Sequence, residues 1–228
     1  MPSKLKIDNV SYSYDGENNV VCDASFEWDK GILCVKGPSG SGKTTLLKIV
    51  AGLIAPDEGQ IFIDGKDLKK IKIKNRKMAF VFQENCLYPH MTVYKNMLVA
   101  CKDEEKVRYW LKKTGMLKYV NFLPSHLSQG MKQKVAIAKM LASDSDIWIL
   151  DEPFANLDEN FKQEIIPVFK SEAENRCVLY VGHDDAIFSE HALWVENGTC
   201  KMGQNFILGT SFSAWVHSLK TNDNNQNQ

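Results

Sequence analysis

Gly37-Pro38-Ser39-Gly40-Ser41-Gly42-Lys43-Thr44-Thr45 is the stretch that decides how this chain is read. A glycine, four residues and then Gly-Lys-Thr is the spacing of a phosphate-binding loop. Ahead of it, Ile32-Leu33-Cys34-Val35 predicts a buried strand. Behind it, Leu46, Leu47, Ile49 and Val50 recur at helical spacing. Strand, glycine loop and helix together are the setting in which the motif has physical meaning. Glycines let the backbone curl until successive N–H groups point at phosphate oxygens. The helix N-terminus adds free N–H groups and a partial positive charge. Lys43 is the expected partner of the outer phosphates, and the Thr44 hydroxyl the expected Mg²⁺ ligand. Residues 37–45 are therefore predicted to hold a nucleotide.

Working outward, residues 4–10 alternate and read as a strand, with Leu5, Ile7 and Val10 as apolar positions. Residues 20–28 read as a second strand beyond the polar turn Asp15-Gly16-Glu17-Asn18-Asn19. Tyr12 and Tyr14 lie between them. They fit an ordinary strand, and an aromatic ring just ahead of a phosphate loop also fits stacking on a base. Residues 60–63 predict a short strand, and 78–82 a buried one ending at Gln83. Between these two, residues 66–77 are the most basic part of the chain, with Asp67 as their one acid. Such a run fits a solvated face, or contact with anionic headgroups.

From 84 to 126 the pattern becomes helical. Thr92 caps a predicted helix to about 101. Asp103-Glu104-Glu105 opens another, closed by Lys112-Lys113-Thr114 before Gly115. This predicts a helical insertion in an otherwise α/β chain. A further helix follows to about 141, with Ser128 as its N-cap. Residues 146–150 and 177–181 predict buried strands, 161–170 a helix, and 192–196 with 199–202 a hairpin turning at Asn197-Gly198. Beyond these, 206–208 suggests a strand, 211–219 a helix and 221–228 a disordered Asn/Gln-rich tail.

Composition narrows the classes. Lysine and arginine total 28 and aspartate and glutamate 28, so the formal charge is zero, which disfavours nucleic acid as a partner. No apolar run approaches the length of a membrane span, and the first residues lack the apolar core of a signal peptide. The six cysteines are scattered, without a Cys-x-x-Cys pair, which fits a reducing cytoplasmic setting. Cys34 and Cys177 are predicted core residues.

Acidic side chains at the end of an apolar strand are costly unless they bind something. With a phosphate loop upstream, Asp151 is the expected Mg²⁺ partner and Glu152 the group that polarises an attacking water. His183, also after a buried strand, would hold that water or the γ-phosphate. Gln83 offers a carbonyl to Mg²⁺ and an amide to the water.

The order phosphate loop, Gln83, Ser128-Gln129-Gly130, Asp151-Glu152, Asp158, His183 resembles the nucleotide-binding subunit of an ABC transporter, from residue 4 to about 219. Tyr14 matches the adenine-stacking aromatic, 37–45 Walker A and Gln83 the Q-loop. Leu127-Ser128-Gln129-Gly130-Met131 matches the signature, 147–152 Walker B, Ala155-Asn156-Leu157-Asp158 the D-loop and His183 the switch histidine. The resemblance implies a P-loop NTPase with a RecA-like core, an antiparallel β subdomain and an inserted α-helical subdomain (84–126, plus the signature helix to about 141), in one domain over 1–220.

It further implies ATP and Mg²⁺ as cofactors. Catalytic roles fall on Glu152, His183, Gln83 and Lys43, and Mg²⁺ ligation on Thr44, Gln83 and Asp151. Tyr14, residues 37–45, Ser128, Gln129, Gly130, Met131 and Asp158 would contact nucleotide or align the two sites. The implied partners are a second nucleotide-binding domain, a transmembrane permease at the cytoplasmic face of the cell membrane and, for an importer, a solute-binding protein. Residues 87–93, Asp151-Glu152-Pro153-Phe154 and Gly130-Met131-Lys132-Gln133 look importer-like, although Gly-Met-Lys also occurs in exporters. Two positions depart from the pattern: Gln129 stands where the signature has its first glycine, and Gly182 where a small hydroxyl residue precedes the histidine. A soluble P-loop kinase or GTPase, an ABC exporter and a non-transport ABC ATPase are the competing readings. The signature weighs against the first, and the absence of tandem domains against the last.

Overall fold

The computed structural model describes residues 4–82, 87–182, 187 and 189–204. Two sheets organise it. Strands β1 (Leu5–Ser13), β2 (Asn19–Trp28), β4 (Glu58–Ile63) and β5 (Lys66–Asp67) form an antiparallel sheet in the order β2-β1-β4-β5. Strands β3 (Gly31–Lys36), β6 (Met78–Val81), β7 (Ile147–Asp151), β8 (Cys177–Val181), β9 (His191–Glu196) and β10 (Thr199–Gln204) form the second, ordered β10-β9-β3-β8-β7-β6. In it β3 runs parallel to β8 and β9, and β7 parallel to β6 and β8. Only the β9–β10 hairpin is antiparallel.

Strand periodicity divides the core in two. On β7, Ile147 and Ile149 face a core shared with the antiparallel sheet and with helix α1 (Lys43–Val50). Trp148 and Leu150 face the opposite core, with helices α4 (Gln129–Ala142) and α5 (Glu159–Ala173). On β3, Leu33 and Val35 point one way and Cys34 the other. On β8, Leu179 and Tyr180 divide in the same manner. Both faces are covered, which is why these strands read as continuous apolar runs rather than as alternating ones. Rings fill the second core, with Phe169 stacked on Trp148 at 5.8 Å and meeting Phe154 edge-on at 5.3 Å. Cys34 and Cys177 are buried, as expected, and so is Cys101.

Side-chain caps start the α-helices after α1, at Thr92 and Ser128 as the sequence places them. Thr92 starts α2 (Val93–Ala100), accepting from the Lys95 N–H at 3.3 Å. Asp103 starts α3 (Glu104–Lys113), accepting from the Glu105 and Lys106 N–H groups. Ser128 starts α4 and Asp158 starts α5. Each such cap contributes about 1 kcal/mol. Helices α2, α3 and α4 pack together through Met97, Val107, Leu111 and Val135.

Several expectations differ from the structure. The first strand continues to Ser13 rather than stopping near Val10. It does so through register shifts, with Asn9 in the left-handed region at φ 49°. Helix α5 starts at Glu159, because Asp158 caps it, rather than at Phe161. Strand β6 is not buried on all sides: among the described residues it is the last strand of its sheet, paired with β7, and Phe80 is 38% exposed. The strand predicted at 206–208, the helix at 211–219 and the tail at 221–228 lie outside the described residues.

Candidate functional site

The phosphate loop is built as the motif requires. Helix α1 starts at Lys43 on Gly42, which has φ 97°, with no side-chain cap and no acid in its first turn, so its first N–H groups are left for a ligand. Two glycines are forced by close approach. A Cβ on Gly37 would sit 1.9 Å from the Val195 carbonyl oxygen, and one on Gly42 would sit 2.4 Å from that of Val20. The loop is therefore gripped from outside by β2 and β9, which fix its curvature.

Within the loop, Lys43 Nζ donates to the carbonyls of Gly37 at 2.9 Å and Pro38 at 2.6 Å. Burial pushes its ammonium below the ordinary lysine value, and the nearby carboxylates of Asp151 and Glu152 pull it back up. The Ser41 hydroxyl is buried and has no hydrogen-bond partner among the described residues. An orphaned hydroxyl, uncapped N–H groups and an ammonium held by its own loop's carbonyls are the donors a triphosphate would satisfy. The loop fits the group that its sequence implies.

The pairing of Thr44 with Asp151 is equally direct. Thr44 Oγ1 donates to Asp151 Oδ2 at 2.7 Å, joining residues 107 positions apart. Asp151 is buried at the C-terminal end of β7 and Thr44 is exposed at the start of α1. Two hard oxygens facing each other beside a phosphate loop suit Mg²⁺. Glu152 follows in the left-handed region at φ 49°, its N–H donating to the Val181 carbonyl at 2.8 Å. That conformation costs a non-glycine residue about 1 to 3 kcal/mol, and it turns the chain sharply as it leaves the strand.

Tyr14 is 63% exposed, and its hydroxyl lies 3.1 Å from Thr45 Oγ1. The Tyr12 ring meets it edge-on at 5.0 Å. Tyr14 thus stands over α1 with its ring in solvent, while Tyr12 belongs to β1. Asp15 fixes the turn beyond: it accepts from the Glu17 and Asn18 N–H groups, and the Asn18 hydrogen bonds lead in holding its carboxyl well below the usual range.

A second group gathers at the start of α4. Ser128 Oγ accepts from the Met131 N–H at 3.3 Å, and Ser128 and Gln129 are exposed. The Gln129 side chain has room because it leaves the first helical residue toward solvent. Gly130 is different, since a Cβ there would press to 3.0 Å on the Asn156 carbonyl oxygen. Two residues missed from the sequence bind this helix to the segment after β7. Buried Gln133 donates from Nε2 to the Pro153 carbonyl at 2.6 Å. Lys134 reaches Asp158 Oδ2 at 2.7 Å, with its ammonium 4.3 Å from the Phe161 ring centroid. Asp158 Oδ1 meanwhile caps α5, and Lys134 holds its carboxyl below the ordinary value. Hydrophobic periodicity carries no signal for such links, whose partners lie 20 to 24 positions away.

Residues 37–45, Tyr14, Asp151 and Glu152 thus come together. Ser128 to Met131 gather with Asp158 as a separate group, sharing no hydrogen bond or ion pair with the phosphate loop among the described residues. Gln83 and His183 lie outside the described residues. Next to the latter, a Cβ on Gly182 would fall 2.1 Å from the Tyr180 hydroxyl. The absence of a small hydroxyl residue at 182 is therefore matched by a larger one reaching up from β8.

The description of the ABC transporter family matches residues 23–155, more than half of the chain. The sulfate/thiosulfate import ATP-binding protein CysA of Bacillus cereus (strain ATCC 10987 / NRS 248) is 40% identical over 174 residues, which are 71% of this chain and 48% of that protein. This chain spans about half the length of that relative. The thiamine import ATP-binding protein ThiQ of Vibrio parahaemolyticus is 33% identical over 208 residues, 85% of this chain and 88% of that protein. Among solved structures, the dimeric ATP-binding cassette MJ0796 bound to ADP and Pi aligns with a TM-score of 0.77 at 26% identity, covering 90% of this chain and 100% of that one. Motif, geometry and relatives agree: the chain belongs to the ABC transporter family, as a nucleotide-binding domain.

Proposed function

We propose that this chain is the ATP-binding and ATP-hydrolysing subunit of an ABC transporter that moves a small solute through a separate permease, in the import direction. The observation that carries this is the convergence of Lys43, the unpartnered Ser41 hydroxyl and the Thr44–Asp151 pair on one uncapped helix start. The import direction rests on the import proteins among its relatives, named for sulfate/thiosulfate and for thiamine.

Two copies, or this chain and a paralogue, would meet head to tail. Ser128, Gln129, Gly130 and Met131 of one would close on residues 37–45 of the other. Ser39, Gly40, Ser128, Gln129 and Asn156 are all exposed in the single chain, as a face awaiting a partner requires. Thr44, Asp151 and Gln83 would hold Mg²⁺, which neutralises charge on the outer phosphates. Glu152 would accept the proton of the attacking water, with His183 and Gln83 orienting it. Asp158 would act through Lys134, keeping the start of α4 in register with the turn after Glu152. The permease would sit in the groove between β6 and helices α2 and α4, where Phe80, Tyr88 and Val99 are exposed. The subunit would then lie on the cytoplasmic face of the membrane, with a solute-binding protein on the other side.

Cysteines at 39 and 128 (Ser39→Cys with Ser128→Cys) test the arrangement. A crosslinked dimer is expected with ATP under non-hydrolysing conditions, and little without it. No crosslink at saturating ATP would overturn the head-to-tail reading. Tyr14→Ala is expected to raise KM for ATP about two- to tenfold with kcat little changed, as loss of one ring stack would. Unchanged kinetics would move that role to Tyr12.

A further inference from the structure

The stretch Lys66-Asp67-Leu68-Lys69-Lys70-Ile71-Lys72-Ile73-Lys74-Asn75-Arg76-Lys77 takes no part in the site above. It carries seven basic residues and one acid in a chain of zero formal charge. Its acid is used locally: Asp67 accepts from the Lys69 N–H at 2.8 Å and caps the 3₁₀ turn Leu68–Lys70. Arg76 turns inward, donating to the Ile71 carbonyl at 3.2 Å, and Lys77 pairs with Asp146 at 3.2 Å. This leaves Lys66, Lys69, Lys70, Lys72 and Lys74, all exposed and without an ion pair among the described residues.

Among them stands Ile73, 80% exposed at the start of a second 3₁₀ turn, Ile73–Asn75. Buried Leu68 and inward-turned Arg76 anchor the segment, so the isoleucine and its flanking lysines are presented from a fixed base. Ile73, Lys74 and Lys77 also form one wall of the groove of about 820 Å³ that contains Phe80, Tyr88 and Val99.

We propose that residues 66–74 form a contact surface for the anionic phospholipid headgroups of a bilayer. Ammonium groups on long stems attract a negative surface without requiring a fixed geometry, and an exposed isoleucine between them can enter the boundary between headgroups and acyl chains. The make-up of the patch fits a nucleic acid less well, since it exposes no arginine fork and no aromatic ring. Its orientation rests on the permease groove proposed above: a permease seated there would bring the adjoining lysines to the membrane. The charge and the exposed isoleucine stand without it.

The test is co-sedimentation of the full chain with vesicles of phosphatidylcholine alone or mixed with phosphatidylglycerol. Wild type is expected to bind the mixed vesicles only, and to be released by high salt or by removal of the anionic lipid. Substituting glutamine for Lys66, Lys69, Lys70 and Lys72 together is expected to weaken that binding at least about tenfold. Ile73→Ser is expected to weaken it about fivefold. ATP hydrolysis and the ATP-dependent crosslink should match wild type in the lysine variant, which shows that it is folded and keeps the two proposals separable. Equal binding by wild type and the lysine variant, or binding to phosphatidylcholine alone, overturns the proposal. So does a lysine variant that binds vesicles normally but no longer co-purifies with the permease, which would assign the lysines to an acidic protein surface.

Discussion

Glu152→Gln is expected to lower ATP turnover by about a hundredfold or more while leaving ATP binding intact. The amide keeps the volume and hydrogen-bonding reach of the carboxylate but cannot take a proton from water. It also leaves the left-handed turn at 152 in place, so the end of β7 should hold its shape. Because hydrolysis would release the head-to-tail pair, the variant should accumulate as an ATP-bound dimer. Size-exclusion chromatography with and without ATP reads this directly. A variant that hydrolyses ATP at the wild-type rate would remove Glu152 from the mechanism. One that is slow but stays monomeric at saturating ATP would leave the base in place and sink the dimer.

Lys43→Ala should act one step earlier, weakening ATP binding about a hundredfold, the scale of a lost charge-assisted contact to phosphate. The ammonium rests on the carbonyls of Gly37 and Pro38, so its loss costs the fold little, while the outer phosphates lose their cation. Lys43→Arg should not restore affinity, because a planar guanidinium does not reproduce the compact ammonium that rests on the Gly37 and Pro38 carbonyls. A fluorescent ATP analogue titrated into each variant gives the affinities, and thermal melting controls for folding. Alanine binding within a fewfold of wild type would separate the loop from the triphosphate.

These two residues also show how unevenly the site could be read. Lys43 lies within nine consecutive residues whose types and spacing specify a loop geometry by themselves, and the caps at Thr92, Asp103 and Ser128 were legible for the same reason. Each is a local event, in which one side chain answers N–H groups two or three residues on. The part played by Gln133 and Lys134 was not legible in the residue order. That they hold α4 to the segment after Glu152 depends on two elements meeting in space. The exposure of Phe80 was missed because an apolar run looks the same at the edge of a sheet as at its centre.

By itself the sequence determined the strand, loop and helix around 37–45, the starts of α2, α3 and α4 and the carboxylates at the end of β7, since chain-neighbour chemistry is enough for each. The tertiary structure decided that Thr44 meets Asp151, that Tyr180 fills the place beside Gly182, and that five lysines around Ile73 are left unpaired among the described residues. Those outcomes depend on which distant segments pack together, and packing is a property of the folded volume rather than of residue order.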